Sequence, residues 1–141
     1  MKNRFRPSSL ILFILLPAVL LATDQSWKNH VSESERARLN PYANNADAVA
    51  AGGRVFADHC AKCHGTDALG NGKRPSLRTP EVQDAKDGEI FWLLKNGFLR
   101  RGMPSWSSLP EPTRWQVVTY LKSLGLSSED HSSERKGGPK Q

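Results

Sequence analysis

The stretch CAKCH, residues 60–64, holds the only two cysteines of the 141-residue chain and sets a histidine directly behind the second. Cysteines three positions apart stand about one helical turn from each other, so both thiols face the same way. Three chemistries can use such a pentapeptide: a reversible disulfide, a metal site, or a covalently attached haem. A redox dithiol of the thioredoxin kind needs its CxxC beside a βαβ pattern, and none is visible. Zinc needs four ligands, and the remaining histidines, His30, His59 and His131, fall at irregular spacing. A simple disulfide stays open for an exported chain. The order C-x-x-C-H is itself the pattern of c-type haem attachment. Two thioether bonds to the vinyl groups of one haem need Cys60 and Cys63 on one side, and His64 then lies under the ring, within reach of the iron.

The first residues speak for export. Lys2, Arg4 and Arg6 precede an apolar run over residues 10–21. A basic start and an apolar stretch of this length have the form of a signal peptide, too short for a comfortable membrane span of ~20 residues. Ala22 can precede a cleavage point, although Leu20 is larger than the small residue usual there. Residues 1–22 are read as a signal peptide, or as an uncleaved anchor in the inner membrane; either way the rest of the chain faces the periplasm. Without residues 1–22, Lys plus Arg falls to 17 against 14 Asp plus Glu, about +3. That mild balance carries no nucleic-acid signature.

The remaining pattern is helical. Residues 23–45 are polar, and SESERARLNPY allows a short helical turn before Pro41; this is an extension that wraps or links. A first helix is expected over Ala46–His59, capped by Asn45, with Val49, Gly52, Gly53 and Phe56 on one face. Two interior glycines each cost about 1 kcal/mol relative to alanine, which points to a close approach on that face. A second helix is expected over Pro80–Asn96, ended by Gly97. A third is capped by Ser108 and Glu111 as a capping box, carries Val117, Tyr120, Leu121 and Leu124 on one face, and ends at Gly125. Residues 126–141 are almost without apolar side chains and are expected to be disordered. The fold class is therefore all-α: three or so helices joined by long loops, with a domain over residues 46–125. Loops that long in a small domain are commonly functional, and a large apolar ligand inside would explain how so few helices make a core.

With these motifs in place, the chain resembles the class I c-type cytochromes, most closely the small bacterial, periplasmic, single-haem ones, over about residues 40–125. Gly52 and Phe56 precede Cys60 as the first-helix glycine and aromatic of that family do. VVTYLKSL, with Tyr120 and Leu121, resembles the family's last helix, and NGFLRRGMPSW resembles its methionine loop. The resemblance implies the cytochrome c fold, with long loops wrapped around one haem c bound through Cys60 and Cys63. It implies His64 as proximal and Met103 as distal iron ligand, with His30 or His131 as weak substitutes. It implies that the Pro75 carbonyl accepts a hydrogen bond from His64, and that Gly52 allows close contact of the first and last helices. Phe91 and Leu94 are expected at the haem pocket; Trp92, Trp106 and Trp115 are expected in the core.

Two axial ligands leave no open position on the iron, and a closed site moves one electron instead of activating a substrate. The expected function is a single-electron carrier, not an enzyme, between periplasmic or membrane-bound redox partners. The alternative is a haem subunit permanently associated with a multi-subunit dehydrogenase or oxidase, with residues 23–45 as a docking arm; a thiol-disulfide enzyme without haem is a third reading. Lys62, Lys73, Arg74, Arg78, Lys95, Arg100 and Arg101 lie in or beside the motif loops. They form either a basic docking face for an acidic partner or ordinary solvated side chains. Membrane contact is expected only if the N-terminal segment is retained.

Overall fold

The computed structural model describes residues 26–134, with side chains to residue 125. The expected signal segment, residues 1–22, lies outside the described residues, as does the tail beyond residue 134. Six α-helices follow one another: α1 (Glu33–Arg36), α2 (Ala46–His59), α3 (Ala61–His64), α4 (Pro80–Gln83), α5 (Asp87–Asn96) and α6 (Glu111–Glu134). Two 3-10 turns, Trp27–His30 and Leu99–Arg101, complete the regular structure. Among the described residues there is no strand, only two isolated bridges, Asn71 with Arg74 and Phe98 with Met103. The all-α fold with long loops stands.

Helix α2 has the expected bounds, and the Asn45 side chain accepts from the Ala48 N–H at 2.9 Å. Its principal partner is α6. A Cβ at Gly52 would lie 2.0 Å from the Gln116 carbonyl oxygen and 2.9 Å from the Tyr120 Cβ. The two helices thus touch backbone to backbone, and the helix-weakening glycine is what allows it. At the next position Gly53 receives the Tyr120 ring, whose nearest atoms would be 3.2 Å from a Cβ.

The expected helix over Pro80–Asn96 is two helices. Asp84 closes α4, Lys86 is extended, and α5 restarts at Asp87. The break leaves carbonyls without helical partners, and α6 supplies the donor: Lys122 Nζ reaches the carbonyls of Gln83 and Ala85. On the other side Glu89 accepts from the Lys86 N–H at 2.8 Å, capping the new helix. One distant lysine and one local cap together make the break tolerable.

Both ends of α6 also differ from expectation. The helix starts at Glu111, with the Arg114 N–H on the Pro110 carbonyl at 3.1 Å, so Ser108 stands outside its first turn. The Glu111 carboxylate instead accepts from Arg38 Nη2 at 2.5 Å. The helix does not stop at Gly125 but continues to Glu134. The glycine has a contact role: a Cβ there would meet Gln83 Oε1 at 2.4 Å.

The polar extension is the larger surprise. Residues 26–40 lie against α5 and α6, with Trp27 and Val31 buried in the core cluster. Arg36 pairs with the buried Glu89 carboxylate. Asn40 Nδ2 donates to Asp87 Oδ2 at 2.9 Å and to Thr119 Oγ1 at 3.0 Å. Arg38 covers the stacked rings of Phe91 and Trp115, 4.4 Å from the Phe91 centroid.

Candidate functional site

A cavity of about 590 Å³ opens between α2, the CAKCH turn, α5, the loop 97–106 and α6. Its size falls within the range of roughly 300–1,000 Å³ usual for small-molecule and cofactor sites. Core side chains form its inner wall: Phe56, Ile90, Leu94, Val117 and Leu121. Cys60, Cys63, His64, Pro75 and Met103 all border it, so the five residues singled out from the sequence meet around one space.

The CAKCH turn is built by hydrogen bonds to the end of α2. Cys60 N–H closes α2 on the Phe56 carbonyl at 2.8 Å, and its own carbonyl accepts from Cys63 at 3.1 Å and His64 at 3.0 Å. The two thiols are unbonded, Cys60 half-buried and Cys63 exposed. Burial, with a smaller contribution from the neighbouring Cys63, pushes the Cys60 thiol up to about 11. A redox-active dithiol needs a readily formed thiolate, and its reactive cysteine has a lowered pKa. The environment of Cys60 acts in the opposite direction.

His64 Nδ1 lies 2.9 Å from the Pro75 carbonyl oxygen. A carbonyl can only accept, so Nδ1 carries the proton. The neutral ring then has a bare Nε2, the form in which an imidazole binds a metal. Pro75 is therefore no mere turn residue: the chain folds back over residues 65–76 so that its carbonyl meets the ring.

Met103 sits in a loop held at both ends. Phe98 and Met103 exchange backbone hydrogen bonds, 2.8 Å from the Phe98 N–H and 3.2 Å from the Met103 N–H. Gly97, at φ 73°, ends α5, and a Cβ there would lie 2.6 Å from the Pro104 carbon and 2.8 Å from the Met103 oxygen. The loop folds back tightly on the helix that precedes it. Arg74 adds a tie from the CAKCH side: Nη1 donates to the Arg101 carbonyl at 3.1 Å and the Gly102 carbonyl at 3.3 Å. Thus the loop that carries Pro75 also grips the loop that carries Met103.

Other expectations sort themselves by position. Leu94 borders the cavity, but Phe91 does not; it faces the opposite side of α5 and stacks on Trp115 at 4.0 Å between centroids. Ile90 and Leu93 take the cavity side instead. Trp115 is core, as expected; Trp106 is half-buried and borders the cavity beside His59, 5.3 Å away between rings. His30 is exposed and does not border the cavity, and the side chain of His131 lies outside the described residues. Lys62, Lys73, Arg74 and Arg101 stand at the cavity rim, whereas Lys95 lies 3.9 Å from Glu35 and Arg78 donates to the Asp67 carbonyl at 2.9 Å. Sequence reasoning missed Trp27, which borders the cavity from the N-terminal extension, and Glu81, the acid among the rim cations. A tryptophan in an otherwise polar stretch was the available signal for Trp27. Among the described residues no group of three or more His, Cys, Asp and Glu side chains converges as a metal site, so the zinc alternative finds no ligand set there.

Residues 47–121 match the family model described as cytochrome C oxidase, cbb3-type, subunit III. The chain is 32% identical over 88 residues to cytochrome c550 of Pseudomonas aeruginosa, covering 60% of this chain and 61% of that protein. It is 33% identical over 85 residues to the cbb3-type cytochrome c oxidase subunit FixP of Bradyrhizobium, covering 55% of this chain and 28% of that protein. It is also 32% identical over 82 residues to the quinohemoprotein alcohol dehydrogenase ADH-IIG of Pseudomonas putida, covering 56% of this chain and 11% of that protein. The chain thus spans less than two thirds of the length of each of these relatives.

Proposed function

The chain belongs to the class I c-type cytochromes, a family that carries covalent haem c with its iron, and we propose that it is a single-electron carrier using Cys60, Cys63, His64, Pro75 and Met103 at its site. When bound, the haem supplies the one-electron chemistry, its iron cycling between two oxidation states. The rest is the work of this chain's residues. Cys60 and Cys63 are tethers, their sulfurs consumed in thioether bonds and carrying no redox chemistry themselves. His64 offers Nε2 to the iron while the Pro75 carbonyl holds its other nitrogen, fixing the ring and raising its basicity. Met103 offers a soft thioether from the opposite loop, which favours the reduced iron and raises the potential. With His64 and Met103 both holding the iron, the protein would supply both of its axial ligands and the group would serve electron transfer. The apolar wall from Phe56 to Leu121 keeps water away and limits reorganisation.

The single observation that carries this reading is the 2.9 Å contact between His64 Nδ1 and the Pro75 carbonyl, because it leaves a metal-ready nitrogen beside two free thiols in an apolar cavity. The apolar cavity and the unbonded thiols fit haem c. Met103→Ala tests the assignment. The haem should stay on the chain under denaturing conditions, while the sulfur-to-iron charge-transfer band disappears and the potential falls. An unchanged spectrum and potential would remove Met103 from the iron.

We place the working protein in the periplasm, delivered or anchored by residues 1–22, where it exchanges electrons with membrane-bound or periplasmic redox complexes. A second reading, a permanent haem subunit of an oxidase or dehydrogenase, is favoured by the family model's own description and by the FixP relatives. Mild detergent extraction distinguishes the two. A free carrier runs alone at the size of a single small polypeptide, whereas a subunit co-migrates with its complex.

A further inference from the structure

We infer that residues 26–40 form a strap belonging to the cofactor pocket, in which Trp27 is a positioning residue that closes the cavity and, through the 3-10 turn it begins, steadies the loop carrying Met103. The inference rests on the His64 and Met103 reading. The family match begins at residue 47, so this segment lies outside the part of the chain that defines the family.

Four observations carry it. Trp27 is only 6% exposed and borders the cavity directly. Its 3-10 turn is capped by Ser26 and reaches the methionine loop: the His30 ring lies 6.1 Å from the Phe98 ring. Phe98 in turn borders the cavity and exchanges both backbone hydrogen bonds with Met103. Finally, Arg36 latches the strap. One Nη donates to the Lys28 and Val31 carbonyls, each at 3.2 Å, while the other pairs with Glu89, itself 4% exposed on α5. A guanidinium shared between the turn and a buried carboxylate is an expensive contact to break from one side, because the partner is left charged and dry. The latch therefore holds the turn against α5, and with it Trp27 at the cavity and His30 at Phe98. A segment that served only as a linker would need neither the buried tryptophan nor the ion pair to a buried carboxylate.

The consequence is control of access and of the distal ligand. Bulk at position 27 excludes small ligands from the iron's surroundings, and a steady Phe98 keeps Met103 in place. The test uses the full haem-loaded protein and imidazole as the probe. In Trp27→Ala, imidazole should displace the distal ligand of the oxidised protein at least tenfold more readily, and the midpoint potential should fall. Trp27→Phe should stay within about threefold of the parent, since an aromatic ring restores the bulk. Arg36→Gln should shift both readouts in the same direction as Trp27→Ala. If Trp27→Ala yields no folded haem protein, Arg36→Gln and Trp27→Phe decide. An imidazole affinity within twofold of the parent's together with an unshifted midpoint potential, in every folded variant meant to loosen the strap, would overturn the inference, and so would a Phe variant as loose as the Ala variant. Should the parent itself lack the sulfur-to-iron band, the Met103 assignment fails separately, and imidazole affinity still reports whether Trp27 closes the cavity.

Discussion

His64 and Arg74 show how much depends on single atoms. The proton on His64 Nδ1 is placed by a carbonyl eleven residues away, and that placement decides which nitrogen is free to bind. Arg74, read from the sequence as a surface charge, spends its guanidinium on the carbonyls of Arg101 and Gly102. We expect Arg74→Gln to weaken the hold on Met103 by roughly threefold to tenfold, the range that a net 0.5–1.5 kcal/mol hydrogen bond spans. Alkaline titration of the oxidised protein checks this: the charge-transfer band should vanish at lower pH in the variant, and coincident curves would leave Arg74 without that role. Glu111 gives a pH dependence of known sign. Desolvation acts to raise its carboxyl, but hydrogen bonds from Arg38 and Trp115, with the charges of Arg38 and Arg114, outweigh it and leave the group below its ordinary value. A depressed carboxyl stabilises the fold above its unfolded-state value and loses that contribution as pH falls through the folded one. Glu111→Gln should therefore be less stable than the parent at neutral pH, and the two should converge well below pH 4.5, the ordinary value from which the group is lowered. Urea midpoints at several pH values measure this, and a difference that does not shrink on acidification would contradict it.

Between elements, the α2–α6 contact is the tightest constraint. With the Gln116 oxygen 2.0 Å from an ideal Cβ at Gly52, and backbone at fault on both sides, the helices must separate to admit a methyl group. Overpacking of this kind costs typically 1–3 kcal/mol, more than the roughly 1 kcal/mol that alanine returns in helix propensity. Gly52→Ala should lower the melting temperature of the haem-loaded protein, by several degrees for each net kcal/mol lost in a domain this size. A melting temperature equal to or above the parent's would mean that the helices are not in contact there. The α4–α5 break makes the same point from the other direction. Its periodicity and its apolar residues suit one continuous helix, but Lys122 on α6 satisfies the broken end of α4 from outside, while Glu89 caps the restart of its own helix. Side chains distant in sequence decide where the helix stops.

At the scale of the whole molecule, a cavity divides the core. An apolar void costs about 24 cal/mol per Å³, so about 590 Å³ corresponds to roughly 14 kcal/mol, the upper end of the stability of a small domain. The bound group is thus as much a structural element as a cofactor. Replacing Cys60 and Cys63 together by alanine should sharply reduce haem retention, helical signal in the far ultraviolet and resistance to urea; a variant as helical and as stable as the parent without haem would refute the argument. The charge distribution belongs to this scale too. The formal net charge is +6 over the sequence and about +3 without residues 1–22, and Lys62, Lys73, Arg74 and Arg101 stand at the cavity rim. Electron transfer to an acidic partner should slow as ionic strength rises; a flat profile in stopped-flow measurements would remove the basic rim from docking.

Much of the site was legible in the chain because its signals are local. CAKCH fixes thiol and histidine spacing by helical geometry alone, Ala46–His59 carries its own cap and face, and Met103 is a loop methionine between Gly102 and Pro104. These determined the fold class, the cofactor class and the residues that meet around the cavity. Only the tertiary structure decided the rest, because it depends on partners far apart in sequence: the helix break answered by Lys122, the α6 start answered by Arg38, Phe91 turned from the cavity towards Trp115, and Arg74 spent on a neighbouring loop. The extension shows the reason most plainly. Its polarity reads as a linker, since the local partners of Arg36 and Arg38 are the neighbouring Glu33 and Glu35; Glu89, Phe91 and Asp87, about fifty residues on, turn Arg36, Arg38 and Asn40 into anchors and set Trp27 against the cavity.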